Sequence, residues 1–198
     1  MEYLLIIPAY LLGSLPWSLI IGKLFYHTDI RQQGSGNLGG TNAGRVLGKK
    51  AGVIVMALDI IKAIIAVWLG SLASLPVGAL CGIFCAIGHC YPLFAGFKGG
   101  KAVSTAVGFL FSVCLFLQLN WLLLIIPAVI FFAVLYFSKM VSLASIAMFV
   151  TAVIVAFIIP SDWIIRGTVI ILALLIIFKH QANIHRIIDH TESKITWM

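Results

Sequence analysis

The sequence predicts an all-α integral membrane protein, a seven-transmembrane-helix bundle with its N-terminus outside and its C-terminus cytoplasmic. Three observations predict it. First, 62% of the 198 residues are hydrophobic and 10% are charged, with a mean hydropathy of +1.15. A soluble domain is about half apolar and about a quarter charged. Second, the apolar residues fall in seven runs, each close to the ~20 residues that cross a bilayer as a helix. Third, the cations gather on one side of those runs. The composition excludes an ordinary soluble fold, a disordered tail and a disulfide-rich secreted module. In this reading one domain spans residues 1–198, with no soluble second domain and no transporter-like internal repeat.

The spans are taken in order. The first, 3–22, follows Met-Glu-Tyr with no basic region ahead of it, so it is expected to stay in the membrane rather than be cleaved. It contains Pro8 and Pro16, kinks that neighbouring helices accommodate. The second, 52–72, carries Asp59 and Lys62, three apart and on one helical face. Ionised groups in hydrocarbon face the bundle interior or a wet cavity. The pair reads either as the wall of a polar cavity or as a structural ion pair between helices. The third, 76–95, holds Cys81, Cys85 and Cys90, and the fourth, 102–119, holds Cys114. With no Cys-x-x-Cys pattern, these read as small packing residues, and no metal site is expected. The fifth, sixth and seventh are 121–137, 141–159 and 163–178. Between Ala102 and Phe178 the only charged residues are Lys139, Asp162 and Arg166, while Trp121 and Trp163 open two spans as interfacial aromatics. Pro127 lies within the fifth.

Placing the N-terminus outside puts 23–51, 96–101, 138–140 and 179–198 on the inner side. Of the 13 Lys and Arg residues, only Lys62 and Arg166 then fall elsewhere. The net charge of +7 is therefore read as membrane orientation and not as a nucleic-acid surface.

Three inner segments carry the polar chemistry. Gly34 to Arg45 reads GSGNLGGTNAGR. Its glycines permit a left-handed backbone and close approach to a ligand, and successive amides form an anion nest. Ser35, Asn37, Thr41 and Asn42 add donors, and Arg45 adds a two-pronged cation suited to phosphate. A dinucleotide fold is rejected, because no strand precedes the glycines. Gly88 to Thr105 reads GHCYPLFAGFKGGKAVST. Gly96, Gly99 and Gly100 surround Lys98 and Lys101 at the start of a helix, with Ser104 and Thr105 following. The run is one residue short of a P-loop, and Ala102 stands where the hydroxyl residue would be. His89 reads either as a general base or as an interfacial hydrogen-bonding histidine. Lys179 to Lys194, KHQANIHRIIDHTESK, places His180, Asn183 and Ile184 on one helical face and Arg186 and His190 on another.

Together these segments resemble those of the bacterial acyl-phosphate:glycerol-3-phosphate acyltransferases, the PlsY family. The resemblance covers the whole chain, with the motifs in the same order. A fourth stretch, KMVSLASI at 139–146, is similar to a serine-bearing span end in that family and brings in Ser142. The resemblance implies functional roles for Ser35 and Arg45, and glycerol 3-phosphate binding by Gly96, Lys98, Gly99, Gly100 and Lys101. It also implies roles for His180 and Asn183 and an integrity role for Glu192. The expected catalytic set is Ser35, Thr41, Arg45, His180 and Asn183. The expected substrate-binding set adds Gly34, Gly36, Asn37, Asn42, His89, Ser104, Ser142 and His185 to the second-motif residues. Asp59, Lys62 and Glu192 are expected to be structural. Gly40, Ala102, Gln181 and His190 depart from the family pattern, His190 standing where a glycine is usual. A His-x4-Asp acyltransferase pair is absent, because His185 and Asp189 are one residue short of it.

The implied reaction takes acyl phosphate and glycerol 3-phosphate to lysophosphatidic acid and inorganic phosphate, at the cytoplasmic face of the inner (plasma) membrane. Membrane lipids are its surroundings, and no cofactor, nucleic acid or obligate protein partner is expected. The donor is an activated mixed anhydride, so no covalent enzyme intermediate is required. The proton of the attacking hydroxyl goes either to a substrate phosphate or to His180. A transporter for phosphorylated metabolites is the competing class.

Overall fold

The computed structural model describes residues 1–118 and 120–195. Every regular element among them is helical: α1 (Ile6–Gly13), α2 (Trp17–Tyr26), α3 (Gly40–Val46), α4 (Lys49–Ser71), α5 (Leu75–Cys90), α6 (Val103–Ser112), α7 (Leu122–Ser138), α8 (Val141–Ile158), α9 (Trp163–Lys179) and α10 (Gln181–Ile188). Each predicted apolar run contains helix among its described residues, the first as two separate helices. Four stretches are long and apolar enough to cross a bilayer: Glu2–Tyr26, Lys49–Ser71, Leu75–Ala95 and Val141–Ile158. A fifth joins α9 to α10 across a 59° bend. Val103–Leu117 and Leu122–Ser138 are apolar but shorter. The predicted end of the fourth run, at 119, lies outside the described residues.

The chain divides into two compact units, Met1–Leu117 and Gln118–Met198. In the first, α4 is central and packs against α1, α3, α5 and α6. Small residues set the spacing. Ala9, Ala63, Ala66, Val77, Cys81 and Cys85 form one buried cluster, which makes these two cysteines packing residues. A methyl group on Gly52 would lie 2.7 Å from the Gly44 α-carbon and 2.9 Å from the Gly40 carbonyl, so α3 and α4 touch backbone to backbone. Met56 fills the space beside Gly40.

The predicted first span is broken rather than merely kinked. Helix α1 ends at Gly13, and α2 begins after Pro16, which has no N–H to continue the ladder. At this break the Gly13 and Leu15 carbonyls accept from a side chain of α4, described below.

In the second unit α7 and α8 form a hairpin, α9 packs on α8, and α10 returns to both α8 and α9. The hairpin turns at Lys139, which is left-handed at φ 59°. Ser138 Oγ accepts the Met140 N–H there at 3.1 Å. The Lys139 carbonyl receives the Ile195 N–H at 2.8 Å, tying the C-terminal segment to this turn.

Candidate active site

In the first polar segment, Asp29 opens a single turn, Ile30–Gln32. Its carboxylate accepts the Arg31 amide at 3.0 Å and is gripped by the Arg31 guanidinium through Nε at 2.9 Å and Nη2 at 2.6 Å. The Arg31 hydrogen bonds hold this carboxyl down at about 2. Gly34 and Gly36 then adopt φ of 59° and 68° on either side of Ser35. Asn42 reaches back from α3. Its Oδ1 accepts the Ser35 N–H at 2.9 Å, and its Nδ2 donates to the Ile30 and Gln33 carbonyls at 3.2 Å each. Asn42 is buried, and both its N–H donors go to the loop backbone, so it shapes the loop from within. Ser35, Thr41 and Arg45 are exposed and Asn37 is half-buried, so the donor set read from the sequence divides into a brace and an outward-facing group.

The second segment folds back on the end of α5. The Gly100 N–H donates to the His89 carbonyl at 3.0 Å and the Gly99 N–H to the Cys90 carbonyl at 3.2 Å. These two amides hold the loop's own shape. Gly96 and Phe97 are both left-handed, at φ 65° and 60°. Lys98 is exposed, while Lys101 and Ser104 are half-buried beside the start of α6. Ala102 caps α6 at φ 58°.

Beneath this loop lies a buried ionic centre. Lys62 Nζ is 2.8 Å from Asp59 Oδ1 and donates to the Gly13 and Leu15 carbonyls at 2.9 and 3.2 Å. Gly13 is the last residue of α1, just ahead of the break at Pro16, and the Leu15 carbonyl also accepts the Trp17 N–H at 3.1 Å. His89 Nδ1 sits 3.0 Å from Lys62 Nζ and 3.3 Å from Asp59 Oδ1. Both Asp59 and Lys62 are at most 2% exposed. The pair is buried and ties α4 to the backbone at the break between α1 and α2.

In the second unit the third segment is built around Glu192. Its Oε1 accepts Ser142 Oγ and Asn183 Nδ2, both at 2.7 Å, and its Oε2 accepts Arg186 Nε at 2.8 Å. Partial burial pushes the carboxyl upward, but these three donors outweigh it, and its pKa lies below the usual 4.5. The chain reaches Glu192 through a paired cap. The His190 N–H donates to the Ile187 carbonyl at 3.2 Å and the Thr191 N–H to the Arg186 carbonyl at 2.8 Å, with His190 left-handed at φ 57°. The backbone that a glycine favours is thus kept with histidine in its place. His180 stands at the bend between α9 and α10, buried, with Nδ1 2.8 Å from the Ile176 carbonyl. A carbonyl only accepts, so Nδ1 carries the proton, and in the neutral ring Nε2 holds the lone pair. His185 is exposed.

Sequence reasoning missed participants in all three sites. Arg186 as a Glu192 partner has no periodic signal, because the two meet only through the cap. Asp29 and Arg31 fix the entry to the first loop. The Gly13 and Leu15 carbonyls were signalled by Pro16 inside an apolar run, a place where backbone groups need a partner.

Comparison with known proteins places these features in context. The family model described as glycerol-3-phosphate acyltransferase matches residues 3–190. A glycerol-3-phosphate acyltransferase of Bacillus cytotoxicus is 47% identical over 193 residues, covering 97% of this chain and 94% of that protein. One from Staphylococcus haemolyticus is 44% identical and covers 100% of both. Among solved structures, the chain is similar to a crystal structure of PlsY (YgiH), an integral membrane glycerol 3-phosphate acyltransferase, in its glycerol 3-phosphate form. The TM-score is 0.88 at 36% identity, with 98% of this chain and 96% of that one covered. The lysophosphatidic acid form matches with the same TM-score at 34% identity, covering 98% of this chain and 95% of that one.

Proposed function

The chain belongs to the glycerol-3-phosphate acyltransferase family, an integral membrane enzyme family, and from that premise we propose that it transfers an acyl group from acyl phosphate to the 1-hydroxyl of glycerol 3-phosphate. The products are lysophosphatidic acid and inorganic phosphate. The observation that carries this reading is the full-length likeness to an enzyme solved in both its glycerol 3-phosphate and its lysophosphatidic acid forms.

The hydroxyl oxygen attacks the carbonyl carbon, and the bond from that carbon to the phosphate oxygen breaks. Phosphate leaves with the electron pair. The anhydride is already activated, so no acyl-enzyme forms. The protein's work is to hold two anions together with the hydroxyl aimed at the carbonyl, which supplies about 7–11 kcal/mol of the barrier. Arg45, Lys98 and Lys101 supply charge for the phosphates. Ser35, Asn37, Thr41 and Ser104 supply hydrogen bonds, with Gly34, Gly36, Gly96, Gly99 and Gly100 shaping the loops that carry them. His180 and Asn183 orient the hydroxyl, and a phosphate oxygen of a bound substrate takes its proton. Glu192 holds Asn183 and Ser142 in place.

The protein crosses the inner membrane seven times, N-terminus outside, with the reaction at the cytoplasmic face. What supports this is the match of seven helical stretches to the seven apolar runs, and the collection of cations between them.

The test is donor choice. Purified protein in detergent, given labelled glycerol 3-phosphate and acyl phosphate, is expected to form lysophosphatidic acid with one phosphate released per product. Equal product from an acyl thioester with acyl phosphate inert would overturn the donor assignment. The His180→Gln variant tests the proton route. Substrate assistance predicts a loss of no more than on the order of a hundredfold in kcat. A fall of several orders of magnitude at unchanged KM would make His180 the base.

A further inference from the structure

His89 is a histidine at the edge of the phosphate-binding loop whose ring does not point outward. It is 7% exposed, and its Nδ1 edge packs against the Asp59–Lys62 pair of α4, 3.0 Å from Lys62 Nζ and 3.3 Å from Asp59 Oδ1. The opposite edge lies under Gly100. A side chain at residue 100 would begin on His89 Nε2, with Cδ2 and Cε1 each 2.9 Å away, so the ring occupies the place of the missing Cβ. The same two residues are also joined by backbone, Gly100 N–H to His89 carbonyl. Lys62 meanwhile donates to the Gly13 and Leu15 carbonyls at the break in the first span.

We propose that His89 is a positioning residue for glycerol 3-phosphate. The buried Asp59–Lys62 pair fixes the ring, and the ring props the Gly99–Gly100 turn that delivers Lys101 and the start of α6 to the substrate. The ionic centre is thus the footing of the second motif. The inference rests on the acyl-transfer reading above and adds what sets the loop's position. A loop held at both backbone and ring has little freedom to drift, and displacement of a binding group by an ångström costs on the order of a hundredfold in rate.

The test exchanges size across the contact. Gly100→Ala, which drives a methyl group into the ring, is expected to raise KM for glycerol 3-phosphate by on the order of tenfold, with KM for acyl phosphate changed less than about twofold. His89→Asn keeps a polar atom near the Nδ1 position, satisfying Asp59 and Lys62, but removes the ring edge. It is expected to raise the same KM. In the His89→Asn background, Gly100→Ala then has room and adds less than about twofold. His89→Gln, which carries a polar atom toward the Nε2 position, should restore a lower KM than His89→Asn. Thermal midpoints are recorded alongside. Multiplying effects of the two substitutions would overturn the proposal, as would a fall in kcat or thermal midpoint with KM for glycerol 3-phosphate unmoved. Wild-type protein that makes no lysophosphatidic acid would strike the acyl-transfer reading itself and this inference with it. Normal wild-type turnover with multiplying variants strikes the positioning role alone.

Discussion

At the scale of single residues, Glu192 organises the third motif because one carboxylate answers three donors from two helices. Ser142 and Asn183 are neutral donors, while Arg186 supplies the charge. Glu192→Gln removes the ion pair and turns one acceptor into a donor facing donors. A loss of about 1–3 kcal/mol is expected, read as a lower thermal midpoint. The pH dependence has a fixed sign. The folded carboxyl titrates below its usual 4.5, so the folded state binds fewer protons than the unfolded one. Its contribution is fully present above the unfolded value and is lost as pH falls through the folded one. The thermal midpoint should therefore drop on acidification below about pH 4.5, and less steeply in Glu192→Gln. Ala102 and His190 both occupy left-handed backbone, where a Cβ costs about 1–2 kcal/mol. His190→Gly should raise the thermal midpoint by about 1 kcal/mol of stability while keeping the cap, and a fall would show that the histidine side chain does more than tolerate its backbone.

At the scale of elements, close helix approach carries the first motif. Gly52 lies against Gly40 and Gly44, so a methyl group there pushes α3 off α4. Gly52→Ala is expected to cost about 1–3 kcal/mol and to lower acyl transfer through Arg45, which α3 carries. A wild-type thermal midpoint and activity would contradict this packing. The helices themselves were legible because apolar runs of this length have one structural solution in lipid. What was not legible was the break in the first span. Pro16 signals a lost donor, but the side chain that meets the backbone at the break, Lys62, lies 47–49 residues away in sequence. Asn42 shows the same limit. Composition marks it as a donor in a glycine-rich loop, and only the fold shows that it serves the loop.

At the scale of the whole molecule, the motifs and their order made the family legible, because glycine loops with interleaved cations in fixed sequence are specific where each alone is not. The roles of individual side chains were less legible, since the same residue types bind substrate or hold the loop. Orientation is a whole-molecule prediction. Cysteines introduced at Lys50 and Lys98 should react with an impermeant thiol reagent only from the inner side, in a background where reagent does not reach the four buried native cysteines. Labelling from outside would reverse the topology. The central claim is direct transfer between two held phosphate compounds. The measurement that tests it most directly is a single-turnover experiment with enzyme in excess over acyl phosphate, with and without glycerol 3-phosphate. Direct attack predicts phosphate release only when glycerol 3-phosphate is present, one phosphate per lysophosphatidic acid, and no acyl group on the denatured chain. A burst of phosphate without glycerol 3-phosphate, with the acyl group bound covalently to the protein, would contradict it.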